Sequence, residues 1–173
     1  RLLIAGGVRP ERITLKRDVS PVKISGLEAP ARPPAALDGC KILLYSGNFG
    51  VAHEIMTVTK GLVLHHRCGS GRVGLWLNAS GSAIEEVAEA LSSEGVPVAV
   101  SLPSSLDALP SVLASAHIHL VSLKAAFSGY VLPSKIYGCL SSGRPILYVG
   151  PKSSDVHLLC SQQNATPYEQ VEI

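Results

Sequence analysis

From Lys41 onward the chain alternates two hydrophobic patterns. Short, near-continuous apolar runs, KILLYSG (Lys41 to Gly47), VGLWLN (Val73 to Asn78), VPVAVSL (Val96 to Leu102), IHLVSL (Ile118 to Leu123) and PILYVG (Pro145 to Gly150), read as five strands buried on both faces. Between them VAHEIMTVTKGLVLHH, SAIEEVAEALSSEG, LDALPSVLASA and SKIYGCLSS read as helices. The second is the clearest, with Ile84, Val87, Ala88 and Leu91 on one face and Glu85, Glu86 and Glu89 off it. Strand and helix in alternation predict βαβ units, and right-handed crossovers then predict a Rossmann-like, doubly wound parallel sheet. A further helix, SSDVHLLCSQQ, precedes TPYEQVEI, which reads as a sixth strand.

The first 40 residues differ in kind. ERITLKRDVSPVKI has room for one or two short strands, whereas SGLEAPARPPAALDG is too rich in Pro, Gly and Ala for regular structure and reads as a linker or wrapping arm. The expected division is therefore a lead-in over 1–40 and one α/β domain over 41–173.

Composition narrows the function. A net charge of +2 and 5% aromatic residues are too little for a chain built around nucleic acid. The four cysteines, Cys40, Cys68, Cys139 and Cys160, have no metal or disulfide spacing and read as reduced thiols. No apolar run reaches the roughly 20 residues of a membrane span.

In open parallel sheets ligands bind beyond the carboxyl ends of the strands. Three loops there carry unusual residues. In SGNFGVAH, Gly47 and Gly50 bracket Asn48 at the expected strand-to-helix turn, where backbone N–H groups and a helix start would favour an anion. SLPSSLD, from Ser101 to Asp107, is a polar turn with a Ser suited to capping. In VLPSKIYG, Pro133 and Ser134 suit a helix start, Ser134 as a cap, but Lys135 is misplaced there electrostatically and calls for a compensating anion. GSGRVG matches a dinucleotide fingerprint at Gly69, Gly71 and Gly74, yet it follows a helix and leads into a strand, the wrong end of the sheet.

LLYSGNFGVAH, LPSVLASAHIHLV and VLPSKIYGCLSSGRPILYVG, in this order, resemble the C-terminal, nucleotide-sugar-binding domain of GT-B glycosyltransferases. The resemblance is to retaining family 4 enzymes of bacterial polysaccharide synthesis, including the colanic-acid group, and covers about residues 7 to 160, with GVRPERITLKRD similar to the lead-in from the first domain. It implies that this chain is one half of a GT-B enzyme, which moves a sugar from a nucleoside diphosphate sugar to a glycan or lipid-linked acceptor without a metal or other cofactor. It implies a diphosphate site at Gly47, Asn48, Gly50, His53, Ser134 and Lys135, and a nucleoside site at Pro103, Ser104, Ser105 and Gly138. Where many members carry Arg and Lys to grip the diphosphate, this chain has Asn48 and His53; where many carry two glutamates, it has Tyr130 and Gly138.

The partners implied are the donor and an N-terminal acceptor domain, with a cytoplasmic setting that extends to the inner face of the membrane. A chain with only the donor half is expected to be inactive alone. The rival readings are a nucleotide-sugar 2-epimerase half-domain and a non-catalytic flavodoxin-like binding module.

Overall fold

The computed structural model describes residues 2–14, 20, 22–26, 28–163 and 166–173. After a short helix α1 (Leu2–Ala5) and the arm come β1 (Lys41–Asn48), α2 (Met56–Cys68), β2 (Val73–Ser80), α3 (Ile84–Ser93), β3 (Val98–Ser101), α4 (Leu109–Ala114), β4 (Ile118–Ser122), α5 (Lys135–Ser141), β5 (Ile146–Val149), α6 (Asp155–Ser161) and β6 (Tyr168–Val171). The six strands form one sheet in the order β3-β2-β1-β4-β5-β6, all neighbours parallel. This is a Rossmann-like doubly wound sheet, and its strand order reverses between β1 and β4.

The near-continuous apolar runs are buried on both faces because side chains alternate across each strand. Leu43 and Tyr45 of β1 meet Val58 and Leu62 of α2 and Val87 and Leu91 of α3 on one side. Ile42 and Leu44 face the other way and pack with Trp76, Val112 and Leu113. A third cluster joins Val121 and Tyr148 to Ile136 of α5 and Val156 of α6.

The arm contributes to this core, burying Val22, Leu37 and Cys40. The strands expected over Glu11 to Ile24 are absent among the described residues, where Pro10–Arg12 forms a single 3-10 turn; residues 15–19 and 21 lie outside the description.

Three local expectations are corrected. First, Gly47 and Asn48 are the last residues of β1, paired with Ala79 and Ser80 of β2, and are not in a loop. Second, α2 starts at Met56 rather than Val51, because a turn fills the interval and the Glu54 carboxylate accepts from the Thr57 N–H at 3.0 Å. The positive end of that helix is thus met by Glu54 and lies beyond Gly50. Third, Ser134 does not cap α5: its φ and ψ of −60° and −22° are already helical, and a capping hydroxyl requires an extended backbone.

A candidate anion-binding cleft at the switch point

Register pairs between β1 and β4 are limited to Leu43↔Ile118 and Leu44↔His119. Beyond them β1 continues alongside β2 and parts from β4, which opens a cleft of about 540 Å³. Gly47, Asn48, Gly50 and His53 line it from the β1 side; Ser134, Lys135 and Gly138 line it from α5 and its approach. Apolar side chains of α4, Leu109 and Leu113, complete the wall.

Lys135 is the unusual group. Its residue is only half-buried, yet the ammonium is turned inward, without a hydrogen-bond partner, 3.1 Å from the centroid of the Tyr45 ring. Lysines ordinarily do the reverse, burying the stem and keeping the charge in water. Gly47 lies beside this side chain: the φ of +125° is what calls for glycine there, since a Cβ 3.6 Å from Lys135 Cε would be in ordinary contact. The ring face returns ~0.5–2 kcal/mol of attraction. Taking an ammonium out of water costs several kcal/mol, so the ring alone leaves the charge undercompensated. Burial accordingly pushes the Lys135 pKa down to about 7, with Cys139 in the next turn opposing weakly.

Tyr45 is held from behind. Its hydroxyl lies 2.6 Å from the Asn48 carbonyl oxygen and 2.9 Å from Nε2 of His53, whose Nδ1 lies 2.8 Å from the Ser122 carbonyl oxygen. The imidazole therefore bridges the gap where β1 and β4 part. Phe49 stacks on it with centroids 5.4 Å apart. Burial first, and the Lys135 ammonium second, push the His53 pKa down to about 4. With 7% of its surface exposed and both nitrogens engaged by the protein, His53 has no ring atom free to bind a ligand directly.

The structure thus brings seven of the expected site residues to one cleft: Gly47, Asn48, Gly50, His53, Ser134, Lys135 and Gly138. The Ser134 hydroxyl, not engaged in capping, stands exposed at the rim. Gly138 is where α5 approaches α4, since a Cβ there would lie 3.2 Å from Leu113 Cδ1.

Pro103, Ser104 and Ser105 do not line the cleft. They follow the edge strand β3, where Leu102 is 85% exposed. This turn is tethered through Asn78: the Ser104 N–H and hydroxyl donate to Asn78 Oδ1 at 3.3 and 3.2 Å, and Asn78 Nδ2 donates to the Leu102 carbonyl at 2.7 Å. Oδ1 also accepts from Ser46 near the end of β1, so one buried amide links that strand to the turn after β3. The capping in this turn is by Ser105, whose Oγ accepts from Ala108 N–H at 3.4 Å, ahead of α4 itself.

Sequence reasoning missed Tyr45 and Asn78. The signal was a polar atom inside an otherwise apolar strand, which must find a partner when buried.

Among the described residues, no group of His, Cys, Asp and Glu is placed to hold a metal ion, and no helix is long and apolar enough to cross a membrane.

Neither a protein-family profile nor a curated protein sequence matches the chain. Solved structures do share its fold. The N-terminal domain of trehalose-6-phosphate phosphatase from Candida albicans superposes with a TM-score of 0.56 at 12% identity, over 78% of this chain and 31% of that one. A single-residue mutant of TarM from S. aureus, in complex with Fondaparinux, alpha-GlcNAc-glycerol and UDP, superposes with a TM-score of 0.55 at 14% identity, over 86% of this chain and 28% of that one. The chain therefore spans less than a third of the length of either.

Proposed function

We propose that this chain is the donor-binding half of a GT-B glycosyltransferase, which holds a nucleoside diphosphate sugar while the sugar passes to a glycan or lipid-linked acceptor in polysaccharide synthesis. The observation that carries this reading is the inward-turned, unpartnered Lys135 ammonium in a cleft at the switch point of the sheet. A diphosphate supplies the counter-charge that the Tyr45 ring does not. The fold shared with TarM, crystallised with UDP, adds support.

In this reading the sugar leaves from a diphosphate whose growing negative charge is stabilised by Lys135. The ammonium is buried against the Tyr45 ring in the free protein, so it turns toward the diphosphate on binding and then stabilises the developing charge in a partly desolvated cleft. No metal enters the proposal. The backbone at Gly47 and Gly50 lets the diphosphate approach closely, while the Ser134 hydroxyl at the rim is free to donate. His53 acts on the charge balance from behind Tyr45 and not by contact. The acceptor is held by a second domain, because transfer requires both reactants in one geometry, worth about 7–11 kcal/mol of the barrier.

Titration calorimetry with UDP, GDP and their sugars tests the assignment. Lys135→Ala removes a charge-assisted contact of ~1.5–3 kcal/mol, a loss of about 10-fold to 150-fold in affinity. Equal affinity in the variant refutes the placement of the diphosphate.

A further inference from the structure

The contacts through Tyr45 and His53 form a chain with three gaps of hydrogen-bond length: Asn48 carbonyl to Tyr45 hydroxyl, hydroxyl to His53 Nε2, and Nδ1 to Ser122 carbonyl. Both ends are carbonyl oxygens, which only accept. A neutral phenol and a neutral imidazole bring two protons to three gaps. If Tyr45 donates to Asn48 and Nδ1–H donates to Ser122, then Nε2 and the phenol oxygen face each other at 2.9 Å as two acceptors. The Ser122 hydroxyl, 3.4 Å from Nδ1, is no remedy, because donating there would leave the shorter Nδ1-to-carbonyl gap without a proton. An imidazolium fills all three.

What opposes the imidazolium is equally local. The ring is buried, and two cations bear on it: Lys135 from α5, on the far side of the Tyr45 ring, and Lys124 from the segment after β4. Phe49 covers one ring face. Glu54, next in the chain, turns its carboxylate to the Thr57 N–H and hydroxyl. The hydrogen-bond geometry thus has a place for a proton that the neighbouring charge keeps away.

Resting on the reading of the cleft as a diphosphate site, we infer that an anion bound at Lys135 brings a proton onto His53, so that the cleft takes up a proton together with its ligand. The anion offsets the ammonium whose charge bears on the imidazole; the third proton then completes the chain and ties β1 to β4. His53 is a positioning residue, since it holds Tyr45 and Tyr45 carries Lys135. Proton and anion binding promote one another by the same factor, as linkage requires.

The test is titration calorimetry at pH 5, with UDP and with inorganic pyrophosphate, in two buffers of different ionisation enthalpy, for the wild type and His53→Gln. Protonation of the probe is common to both proteins and cancels in the comparison. The wild type is expected to take up a larger fraction of a proton than the variant, since the anion relieves the repulsion from Lys135 while burial of the ring still opposes the charge. Nuclear magnetic resonance of the His53 ring in the wild type provides a second readout that does not depend on the variant folding: its midpoint should rise above its free value of about 4 at saturation with UDP. Binding with equal proton counts, or a His53 midpoint unmoved at saturation in the wild type, overturns the inference while leaving the diphosphate site standing. Absence of binding by both probes overturns the site and the inference together.

Discussion

Replacing Lys135 by Met should make the protein more stable, by an amount that depends on pH. Methionine matches the length of the lysine stem and removes only the buried charge. The Lys135 pKa falls from the ordinary 10.5 to about 7 in the folded protein. At 1.36 kcal/mol per pKa unit, this corresponds to about 5 kcal/mol between the two protonation states.

The sign follows from proton counting. Below pH 7 the lysine is charged in both folded and unfolded chains, and the folded state bears the whole penalty. Between about pH 7 and 10.5 the folded state has shed the proton and the unfolded chain has not, so this group's contribution to stability rises with pH. Urea unfolding followed by circular dichroism at pH 6, 7, 8 and 9 reads the effect as the difference between Lys135→Met and wild type, in which the other titrating groups cancel. The variant should lead by a few kcal/mol at pH 6, and the lead should shrink steadily as the pH rises. A lead that is constant with pH, or a variant less stable at pH 6, refutes the description of Lys135 as an undercompensated buried cation.

Two glycines make contrasting predictions. At Gly50 an added Cβ meets only Asn48 Oδ1, at 3.7 Å, so Gly50→Val should fold with a cost under ~1 kcal/mol while its methyl groups narrow the cleft and weaken UDP binding at least about tenfold; normal binding by calorimetry, with a normal circular dichroism spectrum, removes this residue from the site. At Gly81, φ is +140° and a Cβ would lie 2.2 Å from the Phe49 carbonyl oxygen, so Gly81→Ala should cost about 3 kcal/mol or more in urea unfolding, and a loss below ~1 kcal/mol would contradict the closeness of the two chain segments.

The strands and helices were legible because each apolar run is bounded by turn residues and is short enough to be a strand. Lys135 was legible through local electrostatics alone: a cation in the first turn of a helix has to be explained by something outside that helix. Its burial against Tyr45 was not, since a tyrosine within LLYSG looks like core in a linear reading, and the approach of α5 to β1 is a tertiary fact. The late start of α2 escaped because Glu54 can either continue a helix or close its first turn, and periodicity does not distinguish the two. His53 read as a diphosphate-site residue at a position where many members of the family carry a cation; folded, its ring turns to the Ser122 carbonyl of β4, 69 residues away in the chain. Pro103 to Ser105 sit at the carboxyl edge of the sheet as expected of a loop after β3, but an edge strand places them outside the cleft at the switch point.

The brevity of the β1–β4 pairing has a mechanical meaning. The sheet is two half-sheets, β3-β2-β1 and β4-β5-β6, joined along a seam with two pairs in register and an imidazole brace above them. No other neighbouring pair of strands shares so few residues in register, and the cleft is the upper end of this seam. A molecule that spans Gly47 on one side and Lys135 on the other would be a rivet as well as a ligand: it would bridge the shortest pairing in the sheet, and amide exchange along the seam would become a readout of occupancy.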